Sequence, residues 1–162
     1  MAATLDKYEK QIVLLLQKDG RMSNVEIAKA IGANEGTVRR KLRRLISEGI
    51  VKVAGVANPH ALGFKAPAII CLKIELDRLE EAVKRLAELP SVRYVALTTG
   101  NCDVIIEGLW ADNEQLSDFL LNQLCKVPGV KDIQTSLLLR IVKQSYDWGL
   151  PEKADEAKNP AS

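Results

Sequence analysis

Five basic side chains fall within six consecutive positions in the first third of the chain, and the one apolar residue among them is Leu42. The basic residues are Arg39, Arg40, Lys41, Arg43 and Arg44. Guanidinium and ammonium groups at this density can neutralise phosphates, so they favour the binding of a polyanion such as double-stranded DNA. A solvated helix face can have the same composition, and only the placement of these side chains on an element separates the two interpretations.

The apolar residues around this basic cluster have the spacing of a helix. Val38, Leu42 and Leu45 fall at positions i, i+4 and i+7, which predicts one stripe turned toward a core. Asn34 is a good N-terminal cap, and Gly49 follows the predicted C-terminal end. The arginines then project from a structured surface, which favours a binding role over a disordered basic tail.

Two more helices are predicted before this one. The first spans about 5–18 with Thr4 as its cap, and the second opens at the Ser23–Glu26 capping-box pattern and stops at Gly32. A short helix, a glycine-containing turn and a longer helix are the signature of a helix-turn-helix. After the third helix, the stretch "IVKVAGVAN" alternates enough to predict a short strand.

The second helix of a helix-turn-helix places its N-terminal part against base edges in the major groove of DNA. The first turn of the predicted third helix is therefore the candidate for base contact. Arg43 and Arg44 lie one turn further on, where phosphates are the better partners. The predicted DNA-binding residues are Glu35, Gly36, Thr37, Arg39, Arg40, Arg43 and Arg44.

Charge is divided unevenly along the 162 residues, although the net charge is only +2. Residues 1–57 hold 11 Lys and Arg against 6 Asp and Glu, whereas residues 58–162 hold 12 against 15. This asymmetry predicts two domains with different partners, the first of them binding a polyanion. We predict a DNA-binding domain over 1–57, a linker with Pro and Gly over 58–65, a second domain over 66–146 and a flexible tail over 147–162.

The second domain repeats one pattern of elements. Segments 86–100 and 124–138 each contain a helix end, a turn with proline and a strand, and a strand precedes each helix at 66–76 and 102–110. With helices over 79–89 and 112–126, the order is βαββαβ, which is typical of a ferredoxin-like fold. The predicted fold class is α+β, with three helices and a short strand followed by this domain.

One face of the predicted sheet must pack against the helices, and the opposite face is only partly polar. We predict that the packed face contains Val95, Leu97, Ile133, Leu137 and Leu139. On the other face, Tyr94, Ile105 and Leu109 are interspersed with Glu107 and other polar residues. That mixture favours burial by a second copy of the chain, and a two-fold dimer would place two reading helices on successive half-sites of a pseudo-palindromic operator.

Cysteine usage and hydropathy favour a cytoplasmic protein. Cys71, Cys102 and Cys125 are odd in number and match no metal or disulfide framework, which predicts free thiols in a reducing compartment. No apolar run approaches the roughly 18 residues that span a bilayer, so no membrane partner is predicted. No metal site and no cofactor are predicted either.

A loop between the second and third strands is the candidate effector site. Gly100 allows a positive φ angle, so nearby backbone N–H groups can turn toward an anion such as an α-carboxylate. Asp103 can accept hydrogen bonds from an α-ammonium group, or it can brace the turn through its own backbone, and the sequence leaves both open. The candidate effector-binding residues are Thr98, Thr99, Gly100, Asn101, Cys102 and Asp103.

Four stretches resemble the Lrp/AsnC, or feast/famine, family of transcriptional regulators. They are "LDKYEKQIVLLLQKDGRMSNVEIAKAIG", "TVRRKLRRLISEGIVK", "ANPHALGF" and "TTGNCDVIIEG", and the resemblance covers about 5–143. It implies a winged helix-turn-helix joined to a ferredoxin-like domain that dimerises and often binds an amino acid. It also implies further assembly, commonly to octamers.

Two other functions are compatible with this resemblance. Some relatives with the same two-domain build act as tetrapyrrole-pathway decarboxylases, but such chemistry needs positioned acid–base groups, and the second domain has no histidine. The other alternative is an amino-acid sensor in which DNA binding is secondary. The basic reading helix favours a DNA-binding regulator that is not an enzyme.

Overall fold

The computed structural model describes residues 4–145 and 149–150. The chain divides into two compact units. The first runs to Gly55 and includes the described residues from Lys143 onward, and the second is Val56–Val142.

The first unit contains three helices: α1 is Lys7–Lys18, α2 is Asn24–Ile31 and α3 is Glu35–Ser47. They enclose a core in which Ile12, Ile27, Val38 and Leu45 have no exposed surface. The predicted capping box on α2 is confirmed, because the Ser23 side chain accepts from the Glu26 N–H and the Glu26 side chain accepts from the Ser23 N–H. Gly32 ends this helix with a left-handed φ of 68°.

Two local predictions in the first unit are wrong. The cap of α1 is Asp6 and not Thr4, because the Asp6 carboxylate accepts from the Glu9 N–H and the Glu9 carboxylate accepts from the Asp6 N–H. The short strand predicted after Gly49 is absent from residues 50–58 as the structure describes them. A strand needs a hydrogen-bonded neighbour, and in the described part of the chain no strand pairs with residues 50–58.

The second unit is a four-stranded antiparallel sheet with helices on one face. The strands are β1 (Ala66–Ile74), β2 (Val92–Leu97), β3 (Val104–Trp110) and β4 (Val130–Leu137), in the order β2-β3-β1-β4. A 3₁₀ turn at Leu76–Arg78 leads into α4 (Leu79–Ala87). After β3, α5 (Asn113–Asp118) continues as a π-helical turn (Phe119–Gln123) and a 3₁₀ turn (Leu124–Lys126). This is the predicted βαββαβ order, so the ferredoxin-like fold is confirmed.

The strands β1 and β3 alternate between the two faces of the sheet. On β1, Ile70 and Leu72 are fully buried, whereas Ile69 and Lys73 on the opposite face are partly exposed. We call that opposite side the open face of the sheet, and Ile105 and Glu107 of β3 belong to it by their pairing with β1. The helices cover the other side, where Ala82, Leu86, Phe119 and Leu124 join the core.

The predicted packed face is only partly correct. Val95 and Ile133 pack against the core, but Leu97 is 55% exposed and Leu139 is 91% exposed. β2 and β4 are the edge strands, so the ends of these strands have neighbours on one side only. Leu139 lies beyond the end of β4.

Two of the three cysteines are not free thiols, which corrects the prediction. Cys71 and Cys102 form a disulfide with their Cα atoms 5.4 Å apart, and only Cys125 is free. The spacing of 31 residues does not by itself predict this pair. The two cysteines meet because the antiparallel pairing of β1 with β3 brings the start of β3 beside Cys71.

The flexible tail predicted over 147–162 lies outside the described residues except at Gly149 and Leu150. Leu150 packs against the core of the first unit, and the Gly149 carbonyl accepts a hydrogen bond of 3.3 Å from Gln17 Nε2.

Candidate nucleic-acid interface and effector loop

Helix α3 turns one side into the core of the first unit and leaves the other side exposed. Val38 and Leu45 are fully buried, and Leu42 is partly buried against the same core. The exposed side carries five of the predicted contact residues, and Glu35 and Thr37 are half-buried at its start. The exposed predicted contacts are Gly36, Arg39, Arg40 and Arg43, together with Arg44 one turn before the end.

The basic residues of α3 differ in whether a carboxylate already neutralises them. Arg39 pairs with Glu35 one turn earlier. Arg44 pairs with Glu48 through Nε and with Glu9 through Nη1, each at 2.8 Å. Lys41, the fifth member of the cluster, pairs with Asp6 and covers the core edge with a side chain only 16% exposed.

Arg40 and Arg43 have no ion pair within the described part of the chain. Both side chains are exposed, and they lie three residues apart on one face of α3. Their charge is therefore available to an external anion, whereas that of Arg44 and Lys41 is already matched inside the unit.

Glu9 is a buried carboxylate that joins α1 to α3. Its side chain is 1% exposed, and Oε2 accepts from the Asp6 N–H at 3.0 Å. Oε1 accepts from Arg44 Nη1 at 2.8 Å and lies 3.9 Å from Lys41 Nζ. Glu48 first, and then Glu9, raise the pKa of Arg44 above its ordinary value. Arg44 thus helps to hold the reading helix on α1, a role that the sequence analysis did not predict.

Replacing Arg44 by Ala is expected to destabilise the protein more than replacing Arg43 by Ala. Loss of Arg44 leaves the buried Glu9 with only the more distant Lys41, and a buried charge without its partner is costly. We expect the melting temperature measured by circular dichroism to fall by roughly 5 °C or more for Arg44→Ala.

A second substitution tests the cause of that loss. Adding Glu9→Gln to Arg44→Ala removes the uncompensated charge, so part of the lost stability should return. Arg43→Ala is the matched control, because Arg43 has no ion pair to lose. Equal melting temperatures for Arg44→Ala and Arg43→Ala would show that the Glu9–Arg44 pair is not structural.

The start of α3 presents backbone to the outside. The Asn34 side chain caps the helix by accepting from the Thr37 N–H at 2.8 Å. A Cβ on Gly36 would meet only Asn34 Oδ1, at 3.5 Å, among the described residues, so none of them requires glycine there. The absence of a side chain at this exposed position suits close approach of another molecule to the backbone.

The loop at residues 98–103 is braced at its base. Asp103 donates its N–H to the Leu72 carbonyl at 2.9 Å, and the Thr98 N–H donates to the Asp103 carbonyl at 3.0 Å. The Asp103 carboxylate accepts from the Ile74 N–H at 2.9 Å and from Lys73 Nζ at 3.0 Å. The Ile74 N–H first, and then Lys73, lower the pKa of Asp103. The Asp103 carboxylate therefore ties the loop to the end of β1.

The tip of this loop is exposed. Thr99, Gly100 and Asn101 are all on the surface, and Gly100 has the positive φ of 98° that its residue type allows. The Thr98 hydroxyl donates to the Cys102 carbonyl at 2.9 Å, and Lys73 Nζ lies 3.3 Å from the Gly100 carbonyl. Cys102 is half-exposed and tied to β1 by the disulfide.

Within the described residues, no helix is both long enough and apolar enough to cross a membrane. In the same part of the chain, no three or more His, Cys, Asp and Glu residues are grouped so that they could hold a metal ion.

Comparison with known proteins identifies two family models along the chain. A winged helix-turn-helix DNA-binding model matches residues 5–52, and the Lrp/AsnC ligand binding domain matches residues 67–148.

Similar proteins include HTH-type transcriptional regulators from archaea. An uncharacterised one from Pyrococcus abyssi is 36% identical over 143 residues, which cover 88% of this chain and 90% of that protein. The regulator FL11 of Pyrococcus furiosus is 32% identical over 154 residues, covering 94% of this chain and all of that protein.

A solved structure of similar fold is the transcriptional regulator NMB0573 of Neisseria meningitidis in complex with L-Met. It has a TM-score of 0.81 and 29% identity, and the match covers 91% of this chain and 97% of that one. The structure of Escherichia coli AsnC, with a TM-score of 0.78 and 20% identity, shows the same fold.

Proposed function

The chain belongs to the Lrp/AsnC family of transcriptional regulators, and we propose that it recognises DNA through the exposed side of α3. In this proposal residues 1–57 are the DNA-binding domain and residues 58–65 are the linker. Residues 66–146 bind the effector and form the oligomer. The predicted contacts at the first turn of α3 read bases in the major groove, and Arg43 binds phosphate.

The observation that carries the proposal is the unmatched charge of Arg40 and Arg43. Two exposed guanidinium groups on one helical face, without carboxylate partners among the described residues, offer the donors that phosphate and guanine recognise. Arg39 can join them by exchanging Glu35 for a phosphate, since that ion pair is exposed. Arg44 is the weaker candidate, because its Nη1 already binds the buried Glu9.

A salt titration tests the proposal directly. If phosphates are neutralised by α3, log K for DNA should fall linearly with log[salt], with a slope of roughly 0.9 for each phosphate contacted. The measurement is fluorescence anisotropy on a fragment selected from random DNA, with a scrambled fragment as control. A salt-independent affinity, or equal affinity for both fragments, would count against sequence-selective binding by this surface.

We propose that the active form is a homodimer built on the open face of the sheet. That face has no helix over it, and it mixes the apolar Ile69, Tyr94 and Ile105 with polar neighbours, as interfaces do. A two-fold dimer suits a helix-turn-helix, because two copies of α3 then meet successive half-sites of a pseudo-palindromic operator. The family resemblance extends the proposal to octamers, which light scattering would measure.

We propose that an amino-acid effector binds near residues 98–103. The support is the exposed tip with its positive-φ Gly100, the match to the Lrp/AsnC ligand binding domain, and the L-Met complex of the neisserial regulator. Because Asp103 is committed to Ile74 and Lys73, the contacts to a ligand fall to the tip, through the hydroxyl of Thr99, the amide of Asn101 and backbone N–H groups. Thr98 and Cys102 shape the loop through their mutual hydrogen bond.

Replacing Gly100 by Val is expected to abolish effector binding. A β-branched residue at a φ of 98° is strained and would move the backbone N–H groups at the tip. The matched control is Gly63→Val, which places the same residue at a φ of 92° in the connector, away from this loop.

The measurement is a calorimetric and thermal-shift screen of the twenty amino acids on the wild type and both variants. We expect both variants to lose stability and only Gly100→Val to lose the ligand. A ligand that Gly100→Val still binds with unchanged affinity would exclude this loop as the site.

The curated relatives are named as regulators, and we propose that this chain likewise acts without an enzymatic activity. The proposal includes a cytoplasmic location, because the DNA of archaea and bacteria lies there. Absorbance spectra with added tetrapyrrole test the enzymatic alternative, since binding and turnover of a tetrapyrrole would change the spectrum.

A further inference from the structure

The disulfide between Cys71 and Cys102 joins two regions to which the proposed function gives separate roles. Cys71 lies on β1 between Ile69 and Lys73, so its side chain belongs to the open face of the sheet. Cys102 belongs to the loop at residues 98–103, directly after its exposed tip. One covalent bond therefore connects the proposed dimer face to the proposed effector loop.

The hydrogen bonds of the loop are concentrated at its base. Asp103 makes backbone and side-chain bonds to Leu72, Lys73 and Ile74 that do not involve either sulfur atom. At the tip, the long contact from Lys73 Nζ to the Gly100 carbonyl is a weak restraint. Breaking the disulfide would leave the base and the Thr98–Cys102 hydrogen bond in place and remove the one covalent restraint on the segment 99–102.

Cys102 is the half of the disulfide that a small thiol can reach, because it belongs to the surface loop and not to the proposed dimer face. Cys71 and Cys102 are both half-exposed, and neither belongs to the core under the helices. Cys125 is exposed and free in the same domain, so it offers a matched cysteine that forms no disulfide. Exchange at Cys102 needs no opening of the core, since the loop itself lies on the surface.

We propose that Cys71 and Cys102 form a thiol–disulfide switch that sets the mobility of residues 99–102 and, through it, the affinity for the amino-acid effector. The second half of this statement rests on the proposed function. The reactants are low-molecular-weight thiols and their disulfides. Glutathione and glutathione disulfide serve as the probe pair.

Bonds, electrons and protons balance in both the reduction and the oxidation of this disulfide. In reduction, a thiolate attacks Cys102 Sγ, the bond to Cys71 Sγ breaks, and Cys71 leaves as a thiolate that takes up a proton. A second thiolate attacks the mixed disulfide, releasing the small disulfide and the Cys102 thiolate. In oxidation, the protein gives two electrons and two protons to one small disulfide, which becomes two thiols.

Hydrogen exchange on the full-length protein tests the switch without any ligand. After oxidation by glutathione disulfide and after reduction by dithiothreitol, peptide mass spectrometry first determines whether Cys71 and Cys102 are joined. We expect amides in 99–102 to exchange about tenfold faster in the reduced protein, while those of β1 and β3 stay unchanged. The double variant Cys71→Ser/Cys102→Ser should match the reduced protein under both conditions, and Cys125→Ser should behave as wild type.

Equal exchange of this segment in the two states, or the absence of the Cys71–Cys102 bond after oxidation, would overturn the proposal. Calorimetry with L-methionine then separates the switch from the effector site. A Kd that differs severalfold between the two states supports the switch, and equal Kd values overturn it. Binding in neither state is a failure of L-methionine as the effector, and the exchange comparison then decides the switch alone.

Discussion

Replacing Arg40 and Arg43 together by Ala is expected to remove most of the affinity for DNA. Both guanidinium groups are exposed and without carboxylate partners in the described part of the chain. A guanidinium group that binds a base edge contributes about 1–3 kcal/mol, and each lost phosphate contact lowers the salt slope by roughly 0.9. A dimer carries the change twice, so the lost base contacts alone should weaken binding about thirtyfold at the lower figure, and the lost phosphate contacts add to that.

The two arginines should contribute in different ways. Arg40→Ala alone should relax the preference at one base pair, because Arg40 lies nearer the N-terminal end of α3, where bases are read. Arg43→Ala alone should weaken binding to all sequences and flatten the salt slope. Anisotropy titrations on the selected fragment and on its single-base variants measure both effects.

A matched control removes the same charge from another surface. Lys84→Ala/Lys126→Ala lowers the net charge by two, and both side chains are exposed in the second unit. Any loss of DNA affinity in this variant is the general electrostatic contribution, which should be small and independent of sequence. Binding of the Arg40→Ala/Arg43→Ala protein with wild-type affinity would mean that α3 is not the reading helix.

The helices of the first unit could be predicted because their signals are local. Caps and apolar residues lie within one or two turns of each other, so Ser23, Asn34 and the stripe of Val38, Leu42 and Leu45 mark α2 and α3 directly. Asp6 and Glu9 also have capping-box spacing, so the sequence marks the cap of α1 locally as well, two residues after the predicted Thr4.

The role of Arg44 could not be predicted in the same way. Its partner Glu9 lies 35 residues earlier, on another helix, and the pair forms only after α1 and α3 have packed. Sequence periodicity shows which side of α3 is exposed, but not which of its charges is neutralised by the rest of the unit.

In the second unit, too, local patterns could be predicted and contacts between distant residues could not. Alternation and repeated turns predicted the order of strands and helices, because these are again local patterns. The pairing of Cys71 with Cys102 depends on the register of β1 against β3, and their separation of 31 residues contains no trace of that register. The strand predicted after Gly49 shows the reverse situation. Its alternating pattern is present in the sequence, but no strand in the described part of the chain pairs with it.

Placing a glutamate at position 105 is expected to dissociate the dimer. Ile105 is on the open face at the middle of the sheet, opposite Cys71 on one side and Ala96 on the other. In a dimer built on this face, Ile105→Glu buries a carboxylate without a partner in each subunit. Such a charge costs several kcal/mol, so the dimerisation constant should weaken by at least about a hundredfold.

The isolated subunit should tolerate the same change. Ile105 is only half-buried in one chain, and Glu107 already occupies the same face two residues later. The variant should therefore fold with a near-normal circular dichroism spectrum, which separates loss of assembly from loss of folding. Leu121→Glu is the matched control, because it places the same charge on an exposed apolar residue of the helical side.

Sedimentation velocity of the full-length proteins gives the assembly state of each variant. A dimeric Ile105→Glu protein would exclude the open face as the interface, and a monomeric Leu121→Glu protein would point to the helical side instead. The same variant also tests the link between assembly and DNA binding, because a monomer presents only one α3 to an operator of two half-sites. If the open face forms the dimer, Ile105→Glu should therefore lose operator affinity although every side chain on α3 is intact.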